Sequence, residues 1–169
     1  RTAADLNRKK DGQNNEAIQQ YREVIFEILQ HLAIFEPKQH RIIQPFLHLT
    51  IHGMKDEHYG PYAIEIGTHS GRSCSRKMKK WLQNTITAKA KELIPQLKLR
   101  FDHYFDGDES IVYHRHGDQL EYIGYGNHFH TFQIELSRTL REEHKSEIVE
   151  LFSYIILAFQ SEIVDAQHK

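Results

Sequence analysis

Cysteine, proline and glycine are all scarce in this 169-residue chain, and each scarcity closes off a class of protein. The single cysteine, Cys74, cannot form an intrachain disulfide, so nothing requires an oxidising compartment and a cytoplasmic location is the expectation. Nine glycines and four prolines are too few for a low-complexity or disordered chain. An excess of charge of one sign is missing too. With 22 Lys and Arg against 23 Asp and Glu, the formal charge of −1 offers no electrostatic footprint for nucleic acid or an anionic membrane. Long hydrophobic runs are also lacking: the richest, Phe152 to Phe159, falls far short of the roughly 20 residues of a membrane span. The length suits one domain over 1–169.

Histidine, by contrast, is abundant, with 13 residues. It is the commonest metal ligand and the near-neutral acid or base, although any one site uses few of them. Periodicity predicts a helix over about Asn15 to Phe35, with Ile18, Tyr21, Ile25, Ile28, Leu32 and Phe35 as its stripe, stopped by Pro37. A strand is expected over Phe46 to His52, broken by Gly53, and another over Ala63 to Thr68. Between Gly67 and Gly71 a turn leads into a helix over Ser75 to Leu93. Short strands at Lys98 to Phe101 and Leu120 to Ile123 flank a loop over Asp106 to Asp118. A clearer strand spans Thr131 to Ser137, and a last helix runs from Lys145 to Val164. Helices alternating with strands imply an α/β fold: a mixed, largely parallel sheet flanked by helices on both faces, with ligands beyond the C-terminal ends of the strands.

Three segments put polar groups where such a sheet places a site. Asp5-Leu6-Asn7-Arg8 offers a planar guanidinium fork and a neutral donor suited to a carboxylate, though an ordinary polar helix lead-in reads the same way. Leu47 to Gly53 is an apolar strand that ends in His52, a position suited to a metal ligand or to a hydrogen-bonded structural histidine. Glu135 sits in the β-forming run from Thr131 to Ser137, where a buried carboxylate is costly unless paired, metal-adjacent or protonated. It is a general-base candidate, or else half of an ion pair with Arg138 or Arg141. Just upstream, His128 could flank a substrate, with His130, Tyr125 and Asn127 beside it. His114 and His116 share a spacing that could make an accessory metal site, and His144 to Glu147 reads as surface.

Together these segments resemble the zinc carboxypeptidase superfamily, and within it the N-formylglutamate amidohydrolase branch. The resemblance runs in the family's order over most of the chain. It implies a carboxypeptidase-like fold and hydrolysis of an amide bond in a carboxylate-bearing small molecule or peptide, such as an N-acyl amino acid or glutamyl peptide. Asn7 and Arg8 would hold the substrate carboxylate or polarise its carbonyl, His52 would be the last zinc-binding histidine, and Glu135 in Gln133-Ile134-Glu135 the general base and acid. Ile64 to Thr68 with Gly71 to Cys74 is similar to the family's strand and glycine turn. The cofactor implied is zinc, whose other ligands precede the Asp-Leu-Asn-Arg element in the family. They are therefore expected upstream of Arg1, in a catalytic domain incomplete at its N-terminus. The alternative is a non-catalytic metal- or ligand-binding domain. The basic run from Arg72 to Lys91 reads as a solvated helix face rather than a nucleic-acid site.

Overall fold

The computed structural model describes residues 15–107 and 124–168. The expected strand at Leu120 to Ile123, most of the loop before it, His114, His116, Asn7 and Arg8 lie outside the described residues. Helix α1 (Asn15–His31) is followed by a two-stranded hairpin, β1 (Phe35–Glu36) with β2 (Arg41–Ile42). Then come β3 (Phe46–Gly53), β4 (Ala63–Gly67), α2 (Arg76–Leu93), β5 (Lys98–Phe101), β6 (Phe129–Leu136), α3 (Arg138–Glu143) and α4 (Lys145–Phe159). A π-helical turn over Gln160–Val164 and a 3-10 turn over Asp165–His168 continue α4.

The main sheet has the order β3-β6-β4-β5. Two of its three pairings, β3 with β6 and β4 with β5, are parallel, and β4 runs antiparallel to β6. The sheet is therefore mixed and mostly parallel. Its core follows from the period-2 pattern of β6: Phe132, Ile134 and Leu136 join Ile64 and Ile66 of β4 against Leu82 and Ile86 of α2 and Leu151 and Ile155 of α4. Ser75 starts α2 by accepting a hydrogen bond from Met78 N at 3.2 Å, which satisfies one of the amides a helix start leaves open.

Helix α1 ends four residues earlier than the expected stop at Phe35. Ala33 takes a left-handed φ of 54°, and its N–H and that of Ile34 close onto Gln30 O at 2.9 Å and Leu29 O at 3.2 Å. This is the helix-terminating turn that usually employs glycine, here built on alanine and so silent in the sequence. The buried side of α1 is carried by Ile25 and Leu29, whereas Ile28 and Leu32 of the expected stripe are exposed. Ile25 and Leu29 pack with Ile34, Ile42, Tyr125 and Phe129 in a second apolar cluster.

The chain after β5 returns across the sheet over Gly67. A Cβ at that position would lie 2.3 Å from Phe105 O and 2.6 Å from the carbonyl carbon and oxygen of Asp106. Gly67 pairs with Gln133, so the 102–107 segment crosses the side of the sheet that carries Gln133. Replacing Gly67 with alanine is expected to cost about 1–3 kcal/mol, the usual penalty for overpacking against atoms that cannot step aside. Urea denaturation measures it, and a G67A chain as stable as the parent would mean that the segment does not cross there.

Candidate functional site

Because side chains alternate along a strand, residues paired across the sheet share a face. His52 of β3 pairs with Glu135 of β6, Glu135 with Glu65 of β4, and Glu65 with Arg100 of β5. One row thus runs across all four strands on the side opposite Phe132 and Ile134. Next to it lie Thr50, Gln133 and Gly67. His52 and Glu135 stand at the C-terminal ends of two parallel strands, where open α/β sheets bind ligands.

Glu135 is only 7% exposed. Its sole hydrogen bond among the described residues comes from Gln133 Nε2 to Oε1 at 3.3 Å. The ion pair with Arg138 or Arg141 that would make it structural does not form. Arg138 Nε binds both Glu142 oxygens at 3.0 Å, while Arg141 donates to main-chain carbonyls, Leu136 O at 3.2 Å and Met54 O at 3.3 Å. Burial is the main reason the Glu135 carboxyl rises to about 7, and the charge of Glu65 adds to it. The hydrogen bond from Gln133 and the more distant Arg141 work the other way.

Gly53 has a role besides ending the strand: β3 runs through it, and the missing side chain makes room for the Arg141 guanidinium, whose Cζ would sit 2.6 Å from a Cβ there.

Glu65 is fully buried in the middle of the most buried strand. Its Oε1 accepts from His103 N at 2.9 Å and Phe105 N at 2.7 Å, tying the 102–107 segment to the sheet. Its Oε2 has no hydrogen-bond partner among the described residues. Side chains directly opposite in an antiparallel pair start about 5 Å apart, and two full charges at that separation repel by roughly 3 kcal/mol at an effective dielectric constant of about 20. In the sequence Glu65 reads as part of a plain strand. The signal was there: Ile64-Glu65-Ile66 repeats the pattern of Ile134-Glu135-Leu136, an acid between two core residues.

The wall beside this row is held firmly. Asp102 accepts from Thr68 N at 2.6 Å and Thr68 Oγ1 at 2.7 Å and is ion-paired with Lys79, while Asp106 accepts from Ser70 N and Oγ, both at 2.7 Å. The Tyr59 hydroxyl lies 2.8 Å from His103 Nδ1, and burial, followed by a hydrogen bond to the Glu65 carboxyl and that group's charge, pushes it up to about 12. On the α1 side, His48 sits between Tyr21 Oη at 3.1 Å and Thr131 Oγ1 at 3.3 Å, and burial lowers it to about 4.

Of the residues proposed from sequence that are described, Tyr125, Asn127 and His128 are not brought to this row. Tyr125 is buried in the second apolar cluster, stacked on Phe129 with ring centroids 5.2 Å apart. Asn127 and His128 precede β6, and His128 is seven residues from Glu135, about 23 Å at ~3.3 Å per residue. Both line a separate cavity of about 280 Å³ together with Lys77, His130, Glu162 and Gln167.

His52, half-buried at its strand end and facing the same way as Glu135, fits as one ligand of a metal ion. Among the described residues no three His, Cys, Asp or Glu side chains converge as a catalytic zinc requires. Nor, among the described residues, is any helix long and apolar enough to cross a membrane. Comparison with protein-family models, with curated proteins and with solved structures returned no match.

Proposed function

We propose that the chain hydrolyses an amide bond in a carboxylate-bearing substrate, an N-acyl amino acid or a glutamyl peptide, on a carboxypeptidase-like fold with helices on both faces of the sheet. The observation that carries the reading is Glu135: a buried carboxyl with no ion-pair partner among the described residues, raised to about 7, in register with His52 at the ends of parallel strands.

In this reading Glu135 accepts a proton from the attacking water as its oxygen bonds to the carbonyl carbon, and returns that proton to the nitrogen as the C–N bond breaks. A carboxyl near 7 can perform both transfers at neutral pH. Gln133 orients it through Oε1. Asn7 and Arg8 would grip the substrate carboxylate or steady the developing oxyanion. His52 would hold zinc together with ligands from outside the described residues, and the ion would polarise the carbonyl and acidify water.

The test is hydrolysis of N-formyl-glutamate, N-acetyl-glutamate and γ-glutamyl peptides by the full-length protein, with its zinc content measured and the metal removed and restored. Turnover that follows zinc is the expected result; zinc-loaded protein inert across the panel would falsify the reading. One observation favours binding without turnover, namely that the described residues converge on fewer than three metal ligands. Saturable binding of the same compounds with no product would establish that alternative.

A further inference from the structure

The paired carboxylates have a consequence for what the site accepts. Glu65 and Glu135 face the same side of the sheet from adjacent strands, and both are buried. Among the described residues no Lys, Arg or His nitrogen lies within 4.0 Å of either carboxylate. Arg100, next in the row, is exposed on the edge strand and forms no such pair. Lys79, Lys89 and Arg138 are engaged by other acids. Glu65 Oε2, fully buried, has no hydrogen-bond partner among the described residues. A folded chain rarely leaves two adjacent buried acids without a counter-charge, because desolvation and mutual repulsion both oppose it.

We propose that the counter-charge arrives with the ligand: the Glu135–Glu65 pair is a subsite for an ammonium group, seated against Glu135 with Glu65 behind it. The inference rests on the reading of this row as the ligand site and deepens it. The substrate class narrows to carboxylate-bearing amides that also carry a free amine, such as an N-acylated diamino acid. Among the described residues no three His, Cys, Asp or Glu side chains converge as a metal's donor set, and an ammonium is the cation that the two carboxylates fit.

Calorimetric titration of the full chain at pH 8 with Nα-acetyl-L-lysine and with Nα-acetyl-L-norleucine, which keeps the carboxylate and lacks the ammonium, tests this. The lysine compound should bind at least about tenfold tighter, the value of one charge-assisted contact. In Glu135→Gln, which removes the carboxylate that seats the ammonium, the two affinities should come to within about twofold of each other. Equal affinities in the parent, tighter binding of the norleucine compound, no binding of either, or a preference that survives undiminished in E135Q overturns the proposal. The parent's ratio decides even where E135Q does not fold. Hydrolysis of both compounds is followed in parallel. Preferential binding of the lysine compound without cleavage rejects the catalytic reading and keeps the subsite, whereas cleavage of both at equal kcat/KM does the reverse.

Discussion

Glu135→Gln should melt later than the parent chain at pH 8 while losing roughly two to four orders of magnitude in turnover, the usual contribution of a general acid–base group. The two effects have one origin. In the folded chain Glu135 titrates near 7, against 4.5 in an ordinary setting, because burial and the Glu65 charge disfavour its ionised form. A carboxyl raised on folding contributes stability that is fully present below the unfolded value. That contribution is lost as pH rises through the folded value, so the window is about 4.5 to 7. A shift of this size corresponds to about 3 kcal/mol lost by pH 8, to order of magnitude. Glutamine cannot ionise and avoids the loss.

The expected gain in E135Q is therefore nil near pH 4 and about 3 kcal/mol at pH 8, on the order of 5–10 °C in Tm for a chain of this size. Scanning calorimetry of both proteins at a series of pH values measures it. A structural Glu135 held in an ion pair would give the opposite sign, since removing one partner leaves a buried charge uncompensated. An E135Q chain that is less stable than the parent at pH 8, or that retains full turnover, removes Glu135 from the role assigned to it.

What the sequence made legible was local. Alternation placed Phe132, Ile134 and Leu136 on one face of β6 and Glu135 on the other, and the helix expected over Ser75 to Leu93 matches α2 to one residue. The order of the strands was not legible. Strand β6 inserts between β3 and β4, which are nearer each other in the chain, and that pairing depends on contacts between residues 66 to 83 apart that no local pattern encodes. This insertion aligns His52, Glu135 and Glu65, so His52 and Glu135 are legible as candidates in the sequence while the row that joins them, and Glu65 within it, is not. Tyr125 illustrates the converse case. A tyrosine beside polar loop residues suggests a ligand contact, yet packing with Phe35 and Phe129 decides its place. The two-residue strands β1 and β2 carry too few side chains for any period to show.

The same chain should also lose stability in acid through His48, and E135Q is the background in which to see it. Burial lowers this imidazole to about 4 from 6.5, so between those values the unfolded chain takes up a proton that the folded chain refuses. Its contribution is present above 6.5 and lost as pH falls through 4, again about 3 kcal/mol to order of magnitude. In the parent, Glu135 has the opposite slope over nearly the same window. The two largely cancel, and unfolding free energy should change little between about pH 4.5 and 6.5 on their account. Removing Glu135 exposes the histidine's slope, so E135Q should become steeply less stable across that range. A second substitution, His48→Gln, keeps a polar group near Tyr21 and Thr131 and should flatten the profile again. Urea denaturation of the single and double variants at pH 4.5, 5.5 and 6.5 decides it. Parallel profiles for E135Q and the double variant would mean that His48 is charged in the folded chain, contrary to its burial between β3 and α1.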